Sequence, residues 1–352
     1  MGSKNEHYNS TKEIVSLESC TFAKTILMIC VVIYHSMALW TNVWAVAKPK
    51  IDSPTLSFFA LWLNSFHVYG FVVISGYLFY YLRHDKHKYY IFADFISQKA
   101  KRLVVPAITV SIIWCIPFAL FFFSYDWRTI IVNYIFAVSP NQLWFLWMLF
   151  WVFLLSWLLF DFIEKHSLLS FLFSVVLYWI GVFASTKIQN YFQIWTACQF
   201  FVYFWFGIKL RQKGTKWIKS SYIFISVILH ITLFCIDQYY VANDGIANSI
   251  VHYSIKPIVH ILGGILIFII LSWLSTKISW KESRIFKIVS KTSMPIFLFH
   301  QQVIYVCVYL LNGKVYPIIN AIVNFIVSFV VSIAISLLCL RFNKSRLIIG
   351  EK

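Results

Sequence analysis

Long apolar runs alternate along this chain with short polar and basic segments. An α-helix crosses the hydrocarbon core of a bilayer with about 20 apolar residues. Runs of about that length lie at 22–44, 56–82, 103–124, 141–160, 168–186, 191–208, 221–240, 256–274, 293–311 and 317–340. The pattern predicts an all-α, polytopic integral membrane protein with about ten transmembrane helices. The shorter run 129–138 is predicted to lie at the membrane interface.

The composition agrees with a chain that has lipid as its solvent. Of the 352 residues, 60% are hydrophobic and 12% are charged, whereas soluble domains have about 25% charged residues. Such a low charge content cannot cover the surface of a soluble globule of this size. The seven cysteines show no CxxC and no Cys/His spacing typical of a metal site. We interpret them as small buried side chains and predict no metal site.

The distribution of lysine and arginine predicts the orientation in the membrane. Counted along the ten predicted spans, 24 of these residues fall on one side and six on the other. Basic loops face the cytoplasm, so both termini are predicted to be cytoplasmic. The net charge of +17 lies in short clusters between apolar runs, which argues against nucleic acid as a partner. The predicted parts are an uncleaved N-terminal segment (1–21), one membrane domain (22–341) and a tail (342–352).

Ionisable side chains at membrane depth are rare and are often functional. His35 follows Lys24 by eleven residues, which is close to three full helical turns, so both side chains share one face about 16 Å apart. His67 has a similar depth in the second predicted span, so it can line the same cavity as His35. At least one residue of the triplet His300, Gln301 and Gln302 must face the protein interior. The alternative is a snorkelling lysine with polar side chains that only bond neighbouring helices.

No aspartate or glutamate lies near these histidines at mid-membrane depth. Asp161 and Asp237 fall near the ends of predicted spans. This weakens a proton-coupled transporter, in which carboxylate relays are usual. It also leaves a catalytic histidine without an obvious carboxylate that would orient its ring.

A basic segment precedes the third predicted span. It contains Lys99, Lys101 and Arg102, and Lys99 and Arg102 share a face if the segment is helical. Residues 89–102 mix apolar and basic side chains, which is typical of an interfacial amphipathic helix. Cations at this place favour the binding of an anionic ligand such as a phosphate. The alternative is the ordinary excess of positive charge in cytoplasmic loops.

Several short segments match the motifs of one membrane protein family in the family's order. They are KTILMICVVIYH (24–35), FHVYGFVVISGYLF (66–79), QKAKRLVVP (98–106), LWFLW (143–147) and IFLFHQQVI (296–304). The first is similar to an Arg/Lys-X10-His motif, with Lys24 in place of the commoner arginine. The second is similar to F-H-x-P-x-F-F-x-x-S-G-Y-L-F. Together they resemble the membrane acyltransferase family 3, whose members O-acylate surface polysaccharides and other extracytoplasmic acceptors.

The resemblance implies an acyl-CoA donor, most often acetyl-CoA, and a hydroxyl of a surface polysaccharide or its lipid-linked precursor as acceptor. It implies a bacterial plasma membrane and contact with polysaccharide biosynthesis machinery. His35 would be the general base and Lys24 would place the donor, whose phosphates Arg102, Lys99 and Lys101 would bind. The implied cavity residues are His67, Ser75, Gly76, Tyr77, Trp144, His300 and Gln301.

Two other function classes stay open on the sequence alone. One is an exporter or transporter of polysaccharide or of a lipid-linked sugar, although inverted repeats, which are common in transporters, are not evident. The other is a membrane scaffold or sensor without catalysis. Acyl transfer by the purified protein separates both of these from an enzyme.

Overall fold

The computed structural model describes residues 15–42, 47–215, 218, 220–243 and 245–351. Every regular element in these residues is helical, which confirms the all-α fold class. Residues 1–14 of the predicted N-terminal segment and Lys352 of the predicted tail lie outside the described residues.

The helices follow one another with short irregular connections. In chain order they are α1 (Leu17–Met37), α2 (Pro54–Asn64), α3 (His67–Tyr80), α4 (Phe92–Lys99), α5 (Val105–Val110), α6 (Ile116–Phe123), α7 (Trp127–Ile130), α8 (Trp144–Leu158), α9 (Phe160–Lys165), α10 (Ser167–Lys187), α11 (Ile194–Lys213), α12 (Ser220–Val241), α13 (Ile246–Ser275), α14 (Arg284–Lys291), α15 (Ser293–Leu311), α16 (Pro317–Cys339) and α17 (Asn343–Ile348). Single 3-10 turns occupy Ala38–Thr41, Asn141–Leu143 and Tyr191–Gln193. Single π-helical turns occupy Tyr81–Asp85, Ala100–Val104, Ser111–Cys115 and Ile131–Ile135.

Within the described residues, nine helical stretches are long and apolar enough to cross a membrane. Each coincides with one of the predicted spans, so the polytopic membrane class is confirmed. The remaining predicted span, 191–208, lies in α11, which has 20 residues and is therefore about 30 Å long. α11 is less apolar than the other nine, and it packs between α3 and α10.

The second span is divided into two helices at a serine whose side chain hydrogen-bonds to the helix backbone. α2 ends at Asn64 and α3 begins at His67. Between them, the Ser65 hydroxyl donates to the Trp62 carbonyl at 2.6 Å. A serine that bonds the backbone in this way competes with the helical pattern. The division places His67 at the first residue of α3, in the middle of the span.

The third span starts earlier than predicted and contains two π turns. Helix is continuous from Phe92 to Phe123, so most of the amphipathic segment 89–102 is the first part of this span. The turns Ala100–Val104 and Ser111–Cys115 each precede a proline, Pro106 or Pro117. Proline has no N–H and its ring pushes away the carbonyl four residues earlier. A local π turn absorbs this clash, and such turns are frequent at functional sites.

The interior of the bundle is built around α1 and α15. In each of these helices 67% of the span is buried, compared with 17% for α12 and 22% for α16. α1 lies against α2, α3, α13, α15 and α16. The outer helices therefore present apolar side chains to lipid, while α1 and α15 are enclosed by their neighbours.

α3 and α11 approach each other closely through a pair of glycines. A Cβ atom at Gly76 would lie 2.1 Å from the Phe204 carbonyl oxygen, and one at Gly207 would lie 2.0 Å from that of Val73. No side chain fits at either position, so the two backbones pack directly. Small residues commonly allow such packing between transmembrane helices.

Candidate functional site

A cavity of about 820 Å³ lies inside the bundle among α1, α3, α8, α15 and the third span. This volume falls within the range of about 300–1,000 Å³ that is typical of small-molecule sites. Its wall changes in character from one end to the other. We call the two parts the basic end and the opposite end, each defined by its residues below.

The basic end is formed by Lys24, Lys99, Arg102 and Lys291, which all line the cavity. The Lys99 ammonium lies 3.5 Å from the centroid of the Phe153 ring and 5.1 Å from that of Tyr89. These rings hold the ammonium by cation–π attraction and keep its long side chain in place. Several fixed cations around one space suit a ligand that carries phosphate groups.

Lys24 and His35 occupy the same wall at different depths, as their spacing predicts. α1 is a regular helix from Leu17 to Met37, and both side chains line the cavity. Ser16 caps its first turn, because the Ser16 hydroxyl accepts from the Ser19 N–H at 3.1 Å. Eleven residues of helix correspond to about 16 Å. The imidazole of His35 therefore lies deep in the cavity, beyond the cations.

Three histidines meet at this depth. The Nδ1 atom of His35 lies 2.8 Å from the Nε2 atom of His300 on α15. The Nδ1 atom of His300 lies 3.0 Å and 2.9 Å from the carbonyl oxygens of Ile296 and Phe297. His67 lines the cavity, and its Nδ1 atom lies 2.7 Å from the Leu63 carbonyl oxygen. The Tyr34 ring packs against both His35 and His67, with centroids 4.9 Å and 5.2 Å away.

The opposite end has uncharged polar side chains. We define it by Tyr125, Asn133, Tyr134, Ser139, Asn141, Gln142, Gln301 and Tyr305, all of which line the cavity. The Asn141 side-chain amide donates to the Tyr134 hydroxyl at 2.9 Å, and that of Gln301 donates to the Tyr305 hydroxyl. Among the described lining residues, lysine, arginine and glutamate occur only at the basic end. Such an end suits a ligand rich in hydroxyl groups.

The C-terminal segment closes one side of the basic end. The Thr109 hydroxyl donates to the Ile348 carbonyl at 3.0 Å, and Ile349 is fully buried. Gly350 has φ +71° and lies against the Arg102 carbonyl, where a Cβ atom would clash at 2.7 Å. The Glu351 side chain then lines the cavity beside the cations. Burial raises the pKa of its carboxyl, while the charges of Arg102 and Lys24 act in the opposite direction.

The structure brings most of the predicted site residues to the cavity. Besides those above, Ser75 and Trp144 line it. His300 has no exposed surface and lies behind His35. Three predicted residues lie elsewhere: Gly76 packs on α11, the Tyr77 hydroxyl accepts from Arg211 at 3.0 Å, and the exposed Lys101 does not line the cavity. Neighbouring residues of a helix point about 100° apart, so a short motif cannot all face one space.

Sequence reasoning missed Tyr134, Asn141, Tyr305 and Glu351. A local signal was present for Asn141, because the polar stretch SPNQ (139–142) directly precedes the apolar LWFLW segment. Asn141 also has a φ of +50°, a left-handed conformation that asparagine tolerates better than most residues. Nothing local indicates Glu351, which reaches the cavity only because the chain folds back against the third span.

Comparison with known proteins identifies one family. A family model described as an acyltransferase domain matches residues 18–341, which is most of the chain. No curated protein sequence and no solved structure gives a significant match.

Proposed function

Because the chain belongs to the membrane acyltransferase family 3, we propose that it transfers an acetyl group from acetyl-CoA to a surface polysaccharide or its lipid-linked precursor. One observation carries this proposal. A single cavity has cations at one end, uncharged hydrogen-bonding groups at the other, and the His35 imidazole between them. The loop charges support a cytoplasmic position for the basic end, and we propose a bacterial plasma membrane from the family resemblance.

Coenzyme A is the ligand proposed for the basic end. It carries several phosphates, and charge-assisted hydrogen bonds to phosphate are about twice as strong as neutral ones. Lys24, Lys99 and Arg102 would hold these groups. The thioester would then extend along α1 toward His35, about 16 Å deeper.

The acceptor hydroxyl is proposed to approach from the opposite end. His35 takes the proton of the hydroxyl as its oxygen attacks the thioester carbon. A C–O bond forms, the C–S bond breaks, and His35 returns the proton to the sulfur to give free coenzyme A. A positioned general base of this kind typically contributes about 10²–10⁴-fold to the rate.

We propose direct transfer rather than a covalent acyl-enzyme. Ser75 is the serine of the family-like SGY segment, and it lines the cavity. Its hydroxyl donates to the Phe71 carbonyl at 2.8 Å, within its own helix. An activated serine needs a base within hydrogen-bonding distance, and the bond to Phe71 uses its only proton. Direct transfer predicts sequential rather than ping-pong kinetics.

The test compares host strains that lack the protein or carry it in wild-type or His35→Gln form. We expect O-acetyl groups on the surface polysaccharide, measured by NMR, to disappear without the protein and to return only with the wild type. His166→Gln is the matched control, because His166 is an exposed histidine outside the cavity. Loss of the polymer itself, with normal acetylation of what remains, would contradict the proposal and favour an exporter.

A further inference from the structure

We propose that His300 is a positioning residue that fixes the tautomer of His35, so that Nε2 of His35 carries the lone pair used as the base. This inference rests on the proposed function of His35. His35 Nδ1 lies 2.8 Å from His300 Nε2, and two backbone carbonyls lie at the other nitrogen of His300.

The proton on His300 can be placed from its partners. Its Nδ1 atom lies 3.0 Å and 2.9 Å from the carbonyl oxygens of Ile296 and Phe297. Carbonyl oxygens only accept hydrogen bonds, so Nδ1 must carry the hydrogen. In a neutral imidazole the other nitrogen is then an acceptor. Nε2 of His300 therefore presents a lone pair to His35.

The tautomer of His35 follows from this lone pair. Two nitrogens 2.8 Å apart need one hydrogen between them, and His300 Nε2 has none. Nδ1 of His35 must donate it. The Val31 carbonyl also accepts from His35, and it lies four residues earlier, where Leu63 and Ile296 meet Nδ1 of His67 and His300. Both partners therefore place the hydrogen of His35 on Nδ1, which leaves its lone pair on Nε2. The same bond persists when His35 takes up the acceptor's proton, because an imidazolium donates from both nitrogens. The catalytic proton therefore moves without any change in the His35–His300 bond.

If both nitrogens of His300 carried a hydrogen, His300 Nε2 would donate to His35 Nδ1 instead of accepting from it. The surroundings of His300 disfavour this charged state. His300 has no exposed surface, and its ring packs against the rings of His35 and Phe297. A charge there would lose its hydration, and none of the hydrogen-bond partners that the structure gives His300 is a carboxylate. A neutral histidine thus takes the orienting place that a carboxylate has in soluble triads. A carboxylate at membrane depth would be costly, which gives a physical reason why a histidine and not a carboxylate lies beside His35.

His300 acts through His35 and not on the substrate. It is fully buried and lies outside the lining of the cavity, whereas His35 is partly exposed to it. The structure therefore predicts that changes at His300 alter kcat and leave the KM for acetyl-CoA unchanged.

Two variants of similar length test this role. His300→Gln keeps a side-chain oxygen that can accept from His35, whereas His300→Met offers no good acceptor. Activity is measured with purified protein, radiolabelled acetyl-CoA and de-O-acetylated surface polysaccharide from the host. We expect His300→Met to lower kcat by about 10²-fold or more and to leave the KM for acetyl-CoA within about twofold of the wild-type value. The kcat of His300→Gln should be at least about tenfold higher than that of His300→Met.

A second readout does not depend on activity. In ¹⁵N-histidine NMR of the full-length protein, the His35 signals are those missing from the His35→Gln variant. We expect protonated Nδ1 and unprotonated Nε2 in the wild type and in His300→Gln, and loss of this preference in His300→Met. Equal kcat values in both His300 variants, or an unchanged His35 tautomer in His300→Met, would overturn the inference. Failure of the wild type to transfer any acetyl group would instead overturn the proposed function, and the NMR result would still decide the tautomer.

Discussion

The two ends of the cavity differ in charge and in the way their polar groups are held. At the basic end, Lys24, Lys99 and Arg102 converge, and Lys99 is fixed by aromatic rings. At the opposite end, hydrogen bonds such as that from Asn141 to Tyr134 join uncharged side chains to one another. The first arrangement suits a ligand with fixed negative charge, and the second suits hydroxyl groups.

The difference between the two ends suggests how one cavity could hold an anionic donor and a hydroxyl-rich acceptor end to end. The helices that carry the histidines run through both regions. On α1, Lys24 lies at the basic end and His35 lies eleven residues deeper. On α15, Tyr305 lies five residues beyond His300, toward the opposite end. The imidazole of His35 is thus placed where the two ligands would meet.

The largest effect is expected where the two ends meet. His35→Gln removes the proposed base and should lower kcat by about 10²–10⁴-fold, with little change in either KM. Steady-state acetyl transfer by the purified protein measures this. His166→Gln serves as the control and should behave as the wild type. A His35→Gln variant that inserts normally and keeps full kcat would remove His35 from the mechanism.

At the basic end, Lys99→Met should raise the KM for acetyl-CoA about tenfold, because it removes one proposed charge-assisted bond to phosphate. The KM for the polysaccharide should stay the same. Lys101→Met is a matched control two residues away, since Lys101 is exposed and does not line the cavity. Titrations of acetyl-CoA at constant ionic strength make the comparison. An equal change in the KM for acetyl-CoA in both variants would show that the total positive charge of the segment matters and not the position of Lys99 in the cavity.

At the opposite end, Tyr305→Phe should raise the KM for the polysaccharide about fivefold and leave that for acetyl-CoA unchanged. The variant removes a hydroxyl that lines the opposite end and would bond a hydroxyl of the acceptor, and such a bond is worth about 1 kcal/mol. Tyr309→Phe is the control on the same helix, because Tyr309 is 72% exposed and outside the cavity. A change in the KM for acetyl-CoA in Tyr305→Phe would contradict the separation of the two ends.

The smallest effect is expected at Glu351, the one acidic side chain among the described lining residues. Glu351→Gln removes a negative charge from the basic end and should lower the KM for acetyl-CoA about twofold, since partly exposed charge pairs are weak. Glu282→Gln, at an exposed loop position, is the control.

The same residue predicts a pH dependence. Burial raises the pKa of the Glu351 carboxyl, so it takes up a proton at a higher pH than an ordinary glutamate does. Protonation removes its charge, so the KM of the wild type should fall as the pH is lowered through the mildly acidic range. In Glu351→Gln this fall should be smaller. An identical pH dependence of KM in both proteins would exclude Glu351 as its source.

Regular helices explain what could be predicted from the sequence. The shared face of Lys24 and His35 follows from α1 being unbroken, and nine of the predicted spans follow from their apolar length. The division of the second span at Ser65 depends on one side-chain hydrogen bond that periodicity does not contain.

Other features depend on contacts between distant segments. The triplet beginning at His300 indicates an interior position, but its partner His35 is 265 residues away. Gly76 and Tyr77 belong to the same short motif as Ser75, yet only Ser75 faces the cavity, and the other two contact α11. Glu351 reaches its place through packing of the C-terminal segment on the third span.

The most direct test of the account uses proteoliposomes that keep the two substrates apart. Radiolabelled acetyl-CoA is enclosed inside, and de-O-acetylated surface polysaccharide is supplied outside. In this arrangement we expect acetyl groups to appear on the polysaccharide with the wild type. We expect none with His35→Gln, and none with the wild type when both substrates are on the same side. Equal transfer with both substrates on one side would contradict a cavity that receives its two ligands from opposite faces of the membrane.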